Sequence, residues 1–547
     1  MPVARNLSAL SDSKFDLIVI GGGIYGTTIA LDATLRGLSV AIIDQGDFGS
    51  GTSFNSAKTV HGGVRSLQRG NLREMNQFIN ERRTLSRLLP HLVTPLPFVI
   101  PTYQTLTRNK WLMRPYFSLY DRLSSNRNNQ IDRSLRLPDS RFLSRNECLE
   151  LNPMISPTKV TGGIQWFDCQ MYNSDRVNLS FVLSAMKHGA TAANYVEAES
   201  LIYHKKQIVG LRVLDRLGNS HFDLHGKIVL NCTGPWTNLV LKKLLPKRIR
   251  DLPFHLSKAM NFVTNKPVTT THALGSWNNG RLLFIAPWRD RSIIGTSHHL
   301  FAGDADTLKI CEHEVEDFLR QVNSAFPNAK LQMDDLQMIH CGLLPAVTTV
   351  KNFDSLLKTS LIVDHTRDGV SGLLSVVGVR YTTARDTAEH AVDVVFKLLK
   401  RKSPTCRTDN TTLFGGEIPD IETFFQNATQ ESASNLSEST CLRLARSYGS
   451  NYATLLAELH KDPASTAKVA VDSELTVAEV QHSVKHEMAV KLSDVVLRRT
   501  ELGSGGHPGI DALRSTARLM GGYLGWSSEQ MEKEISEVEN LYDFQMQ

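Results

Sequence analysis

The residues most able to do chemistry sit near the start of the chain. Gly21-Gly22-Gly23-Ile24-Tyr25-Gly26 follows the apolar run Asp16-Leu-Ile-Val-Ile20 and precedes a helix-compatible stretch at 27–37. In such a loop Gly21 allows the tight turn and Gly23 lets the backbone approach a pyrophosphate. Gly26 permits close packing of helix on strand. The phosphates then meet the free N–H groups and positive dipole end of the helix. A second strand signal at 39–43 ends in Asp44, at the right spacing to accept hydrogen bonds from adenosine ribose hydroxyls. Strand, loop, helix and acid agree on a dinucleotide site, but the loop alone does not separate FAD from NAD.

The elements that must position this loop are those of an α/β protein. Residues 15–65 alternate strand, turn and helix, as a doubly wound domain does. Helices and a polar loop at 124–130 follow, and then strand and helix signals at 162–230, with an apolar strand at 227–231. Short β-rich runs at 262–264, 282–286 and 292–295 predict an antiparallel substrate-side sheet interleaved with the cofactor domain. Beyond 400 the composition shifts. Residues 403–419 read as loop, and 439–448, 451–459, 476–499 and 509–524 carry apolar residues at helical spacing. The expected organisation is a tail at 1–14, an interleaved Rossmann-type cofactor and substrate unit at 15–400, a linker at 401–414 and a C-terminal helical domain at 415–547.

Composition narrows the function. The 547 residues are 41% hydrophobic and 21% charged, with a formal charge of +6. Spread over this length, that charge does not suggest nucleic acid, but a basic face suits anionic lipid or a phosphorylated substrate. Seven scattered cysteines without a Cys-x-x-Cys pair argue against a disulfide scaffold or zinc site, so no metal is expected. The N-terminal residues lack a signal-peptide core, and no apolar run reaches the ~20 residues of a spanning helix. A cytoplasmic protein is expected, with any membrane association peripheral and on the inner face.

Three further motifs complete the pattern: Lys58-Thr-Val-His61-Gly62-Gly-Val-Arg65, Asn231-Cys-Thr233-Gly234, and Gly378-Val-Arg380-Tyr-Thr382-Thr383. Their order and content resemble the flavin-dependent glycerol-3-phosphate dehydrogenases and oxidases of the D-amino-acid-oxidase-like FAD superfamily. Phe167-Asp168-Cys169, Gly295-Thr296-Ser297 and the stretch from His486-Glu487 to Arg498-Arg499-Thr500 resemble further landmarks, so the likeness spans nearly the whole chain. The resemblance implies an FAD enzyme of glycerol metabolism that takes hydride from a hydroxyl-bearing carbon to flavin N5. It implies electron delivery to a quinone or oxygen. Gly21, Gly23, Gly26, Asp44, Lys58, Gly62, Thr233, Gly234, Gly378, Thr382 and Thr383 are then the expected FAD contacts. The helix after Thr383 would aim its N-terminus at the flavin's pyrimidine edge, stabilising negative charge there.

The substrate side departs from the family pattern. Where a Gly-Val-Arg-Pro-Leu-type stretch supplies a phosphate-binding arginine, this chain reads Gly342-Leu343-Leu344-Pro345-Ala346. Asn261 stands at an expected histidine, Ser66 at an expected aromatic, and Val379-Arg380 in place of Gly-Lys. Loss of a buried arginine–phosphate pair forfeits about 2–5 kcal/mol, which favours an altered substrate: a different polyol, a hydroxy acid or an amine. Alternatively Arg289 or Arg291 fills the gap, or the chain is a catalytically silent flavoprotein subunit. Arg65 and Arg380 are the expected substrate-positioning cations. His61, His298 and His340 are the candidate bases, with His61 best placed.

Overall fold

The computed structural model describes residues 5–68, 70–105, 108–204, 207–245, 250–348, 354–430 and 436–542. Its first sheet grows around the strand Lys14–Ile20, buried at every residue after Lys14. That strand runs parallel to Val40–Ile43 on one side and Ser220–Asn231 on the other, and Leu373–Val377 continues the parallel set. Strands covered on both faces read as unbroken apolar runs, which is why residues 16–20 and 227–231 stood out. The helix Ile24–Leu35 packs against the helices Ser174–Lys187 and Ala384–Leu398. The strands Val196–His204 and Gln207–Asp215 form an antiparallel extension on Ser220–Asn231. The carboxyl ends of the parallel strands share one edge, where an open α/β sheet binds its ligand.

The second sheet runs in the order Leu336–Thr348, His255–Thr264, Arg291–Phe301, Arg281–Trp288, Ala273–Asn278, Val93–Tyr103 and Val160–Met171. Its pairing is antiparallel, except that Ala273–Asn278 runs parallel to Val93–Tyr103. The β runs of the sequence are therefore real, but each is the core of a longer strand. His255–Thr264 extends well before residue 262, because Ser257, Lys258 and Asn261 are buried polar residues that interrupt the apolar pattern.

No helix or strand occupies the stretch between Leu398 and Ile421. Helices Glu438–Tyr448, Tyr452–Lys461, Val477–His486, Ile510–Leu524 and Ser528–Tyr542 follow. The continuous helix expected over 476–499 is not there. It stops at His486, Met488 adopts φ +52°, and a single π-helical turn covers Asp494–Arg499. The Asp494 carboxylate accepts the amides of Val490 and Lys491 at 2.9 Å each, so a side chain supplies the bonds that a helix would have made. This turn sends two arginines into the first domain. Arg498 Nε and Arg499 Nη1 reach Asp47 Oδ2 at 2.6 and 2.7 Å, and Arg499 Nη2 reaches Oδ1 at 2.7 Å. Among the described residues no helix is long and apolar enough to cross a membrane.

Candidate active site

A cavity of about 1170 Å³ runs from the edge of the first sheet across the face of the second. Pockets for single small ligands span roughly 300–1,000 Å³, so this one is large enough for a dinucleotide and a small substrate together.

At the cofactor end the glycine loop is shaped by close approach. Gly21 has φ +105°, and a Cβ there would lie 2.6 Å from the Cys232 carbonyl oxygen; one on Gly26 would lie 1.9 Å from that of Gly21. Gly23 caps the helix Ile24–Leu35 without a side-chain hydrogen bond, and a Cβ on it would meet Ser53 Oγ at 3.3 Å. Gly21, Gly23 and Ile24 line the cavity, so the helix start faces it, as a pyrophosphate requires. Asp44 also lines it, with Oδ2 accepting from the Gly22 amide (2.6 Å) and Oδ1 from that of Gly46 (2.8 Å). Burial raises the Asp44 carboxyl above its usual range, although both amides oppose the shift. Thr233 and Gly234 arrive from the end of Ser220–Asn231. The far end is lined by Glu197, Arg216 and Lys243, with Lys243 Nζ 2.5 Å from Glu197. These three were missed because they carry no motif; only the fold brings them together.

Gly378 and Thr382 line the opposite end of the cofactor space, just before the helix Ala384–Leu398. A Cβ on Gly378 would overlap the Tyr25 ring, and Thr382 Oγ1 accepts the His61 amide at 3.2 Å. Four expected contacts are corrected, the first being Gly26, which packs against the Gly21 carbonyl and does not line the cavity. Lys58 does not line the cavity. Its turn at φ +57° sends the side chain inward, where Nζ donates to Ser174 Oγ (2.9 Å) and the Phe54 carbonyl and lies 3.9 Å from Asp175. Burial lowers its ammonium pKa to about 8. Gly62 also turns away: its amide donates to Asp168 Oδ1 at 2.7 Å, and a Cβ would strike Arg82. Thr383 is buried outside the cavity, its carbonyl accepting from the Thr387 hydroxyl.

The substrate end is walled by Phe98, Phe117, Trp166 and Phe284, with Phe98 and Trp166 stacked at 5.2 Å between ring centroids. His61, Arg65 and His298 reach this space as expected. His61 is half exposed, with Nδ1 3.8 Å from Asp168 Oδ2. Burial alone would raise the Asp168 carboxyl, but His61 and Arg82 hold it below its ordinary value. Asp168 thus stands behind His61 as an anion; the sequence marked it as part of Phe167-Asp168-Cys169 but gave it no role. His298 is pushed down to about 4 by burial and by the charges of Arg281, Arg65 and His299. His340 is fully buried off the cavity, against Phe54 and Trp288, and drops out as a base.

The cations need correcting too. Arg380 lines the cavity, yet its guanidinium pairs with Glu74 and lies over the Phe78 ring. Arg289 is committed to Asn173 and Ser504, and Arg291 to Gln337; neither lines the cavity. The arginine that joins Arg65 there is Arg281, at the start of Arg281–Trp288. Leu344 does line the wall, paired across the sheet with Ser257. Asn261 is buried, accepting from Thr296 Oγ1 at 2.7 Å and donating to the Asn55 carbonyl at 3.3 Å, so it serves the wall.

A parallel sheet presenting a glycine loop and helix start, joined edge to face with an antiparallel sheet that carries a separate polar site, defines an FAD-dependent oxidoreductase. Residues 16–383 match the family model described as FAD dependent oxidoreductase, and residues 406–531 match the C-terminal domain of alpha-glycerophosphate oxidase. A glycerol-3-phosphate dehydrogenase of Synechocystis sp. is 31% identical over 546 residues, covering 97% of each chain. The mitochondrial glycerol-3-phosphate dehydrogenase of Homo sapiens is 30% identical, covering 99% of this chain and 75% of the relative. The structure of a glycerol-3-phosphate dehydrogenase from Bacillus halodurans complexed with FAD superposes with a TM-score of 0.78 at 24% identity, covering 99% of this chain and 97% of that one. The chain belongs to the FAD-dependent glycerol-3-phosphate dehydrogenase and oxidase family, and its cofactor is FAD.

Proposed function

We propose that the protein oxidises the hydroxyl-bearing carbon of a small anionic polyol, glycerol 3-phosphate being the first candidate, and delivers the electrons to a quinone at a membrane surface. The observation that carries this reading is the meeting of Arg65, Arg281 and His298 at the aromatic end of the cavity, with His61 lining the same space. Bound FAD supplies the hydride acceptor. Arg65 and Arg281 hold the anion by charge-assisted hydrogen bonds. His61 takes the hydroxyl proton, steadied by Asp168, and the aromatic wall keeps water from the reacting carbon. The glycerol-3-phosphate dehydrogenases among its relatives support this assignment.

Leu344 favours a second reading, in which the substrate is a less charged polyol, hydroxy acid or amine. Anaerobic mixing with candidate substrates, followed by loss of the flavin's visible absorbance, separates the two. Rapid bleaching by glycerol 3-phosphate supports the first, and bleaching only by uncharged or amine compounds supports the second. If no compound bleaches the flavin, the chain is a silent subunit.

The membrane part of the proposal rests on the helix Lys110–Leu123. Trp111 is 73% exposed, and Leu112, Leu119 and Leu123 are exposed along the same helix, which also carries Lys110, Arg114 and Arg122. An exposed tryptophan and leucines among basic residues suit the interface of an anionic bilayer. Binding to phosphatidylserine-containing vesicles that weakens with salt, and is lost in Trp111→Ser/Leu112→Ser, is the expected result. Equal binding of wild type and variant would remove this helix from the proposal.

A further inference from the structure

The C-terminal helices hold a second polar cluster, far in sequence from every residue used above. Thr476 and Glu479 form a capping box that starts the helix Val477–His486. His482 and His486 are four residues apart on it and therefore share a face. Their rings lie 4.8 Å apart between centroids, at 34°. Helix Tyr452–Lys461 presents Glu458 to both: Oε1 is 2.9 Å from His486 Nε2, and Oε2 is 3.7 Å from His482 Nδ1. One donor atom from each of the three residues lies within 4.8 Å of the others.

Two features separate this cluster from an ordinary surface ion pair. The His482 side chain is only 3% exposed, yet among the described residues neither of its ring nitrogens has a hydrogen-bond partner, and nor does Glu458 Oε2. An unsatisfied buried polar group costs about 1–3 kcal/mol, and an ion bound between the His482 imidazole and the Glu458 carboxylate would satisfy both. Behind the ring, His482 Nε2 lies 3.8 Å from Glu487 Oε1, and Arg176 Nη1 fixes both oxygens of Glu487 at 2.7 and 2.8 Å. That carboxylate stands on the side from which an outer partner orients a metal-ligating imidazole, and a shift of under about 1 Å would bring it into hydrogen-bond range.

We propose that Glu458, His482 and His486 form a binding site for a divalent transition-metal ion, with zinc the ion whose preferences fit. Two imidazoles and one carboxylate are a zinc donor set; calcium and magnesium take oxygen ligands. Metal–ligand distances of roughly 2.0–2.2 Å place tetrahedral donors roughly 3.3 Å apart; each Glu458 oxygen faces one imidazole, at 2.9 and 3.7 Å, and one donor atom from each residue lies within 4.8 Å of the others, so side-chain rotations alone would bring the set to that spacing. Glu458 and His486 remain about one-quarter exposed, which leaves an entry path and room for water as a fourth ligand. The absence of a cysteine pattern had argued against any metal, whereas this set uses a His-x-x-x-His pair and a glutamate from another helix. The ion ties Tyr452–Lys461 to Val477–His486. The Glu487 carbonyl accepts from Arg499 Nε at 2.9 Å and Arg499 grips Asp47, so the staple adjoins the contact between the helical domain and the FAD domain.

The test uses untagged, flavin-loaded protein stripped with a chelator and dialysed. Titration with Co²⁺ should give one equivalent per chain with the intense visible bands of four-coordinate cobalt, displaced by Zn²⁺. Zinc should also raise the melting temperature, because it binds only the folded chain. His486→Ala and Glu458→Gln should each weaken zinc binding by more than the roughly 10–100-fold that loss of an outer partner costs, and should abolish the zinc-dependent melting shift. Flavin content should stay unchanged in both. Both residues are partly exposed, so the test does not depend on a His482 variant folding. No stoichiometric binding, or binding undiminished in both variants, would show the cluster to be a histidine–glutamate ion pair and overturn the proposal.

Discussion

The two ends of the cavity are built by different means. The cofactor end is made by backbone: glycines whose missing side chains let chain approach chain, an open helix start, and a carboxylate fixed by two amides. The substrate end is made by side chains drawn from a short helix and three separate strands, with Arg65, Asp168, Arg281 and His298 spread over more than 230 residues of sequence. A backbone site needs particular residue types at fixed spacing, so it shows in the sequence. A side-chain site needs only that the fold bring the right groups together.

The comparison breaks most visibly at the glycine loop. Gly26→Val places a side chain where even a Cβ would lie 1.9 Å from a carbonyl oxygen. FAD binding should weaken by at least ~1000-fold, about 4 kcal/mol, leaving colourless protein. Absorbance of the purified protein measures it, and a yellow, active variant would mean that the loop is not the pyrophosphate cradle. At the substrate end, His61→Gln should keep the flavin while kcat falls by ~10²–10⁴-fold, the usual worth of a general base. A variant with unchanged kcat would move the proton transfer elsewhere. Arg281→Ala should reduce kcat/KM for glycerol 3-phosphate by ~30–1000-fold, about 2–4 kcal/mol, with flavin content unchanged. An equal loss with uncharged glycerol would show that the arginine shapes the pocket without holding the anion.

His298 should matter less. Its pKa of about 4 keeps it neutral between pH 5 and 8, so the charge that meets the anion comes from the arginines. His298→Gln should change KM by less than ~5-fold, since one neutral hydrogen bond is worth about 1 kcal/mol. Stability supplies an independent reading. A histidine whose folded pKa lies below its unfolded value binds fewer protons in the folded state. Its contribution is therefore intact above pH 6.5 and lost as pH falls toward 4. At pH 5 wild type should lose up to about 2 kcal/mol that His298→Gln does not, measurable as a difference in melting temperature. Parallel melting curves for the two proteins would place His298 in a more solvated state.

Much of the first domain was legible because parallel, doubly buried strands appear as apolar runs and glycine turns have few alternatives. The antiparallel strands were legible only in part, since polar residues such as Ser257 and Asn261 are buried on them to serve the cavity wall. Lys58 was misplaced for a related reason. The motif carries its number, but a left-handed turn decides which way its side chain points. Arg281 lay in no motif, and Arg380 lay in one yet spends its charge on Glu74. Spacing along the chain locates residues, but the charge left for a substrate depends on neighbours that only the fold reveals.

Another small expected effect decides between the two substrate readings. Leu344 pairs with Ser257 on one flank of His255–Thr264, while His298 pairs with Ala259 on the other flank, the side from which Arg281 comes. If Arg65 and Arg281 hold the anion, the arginine of Leu344→Arg arrives across a strand from a phosphate already paired. It must also be desolvated beside Pro345 and Leu356, which line the same wall. The added attraction and that cost should nearly cancel, so kcat/KM for glycerol 3-phosphate should move by less than ~10-fold, about 1.4 kcal/mol. A rise of ~10–1000-fold, worth about 1.4–4 kcal/mol of transition-state binding, would mean that the leucine had removed the contact that matters. In that case wild type should oxidise glycerol 3-phosphate poorly, and the same substitution should impair its better substrate. Steady-state kinetics of wild type and Leu344→Arg on glycerol 3-phosphate and on uncharged polyols would then favour the second reading, because a phosphate oxygen buried against Leu344 would be left without a partner.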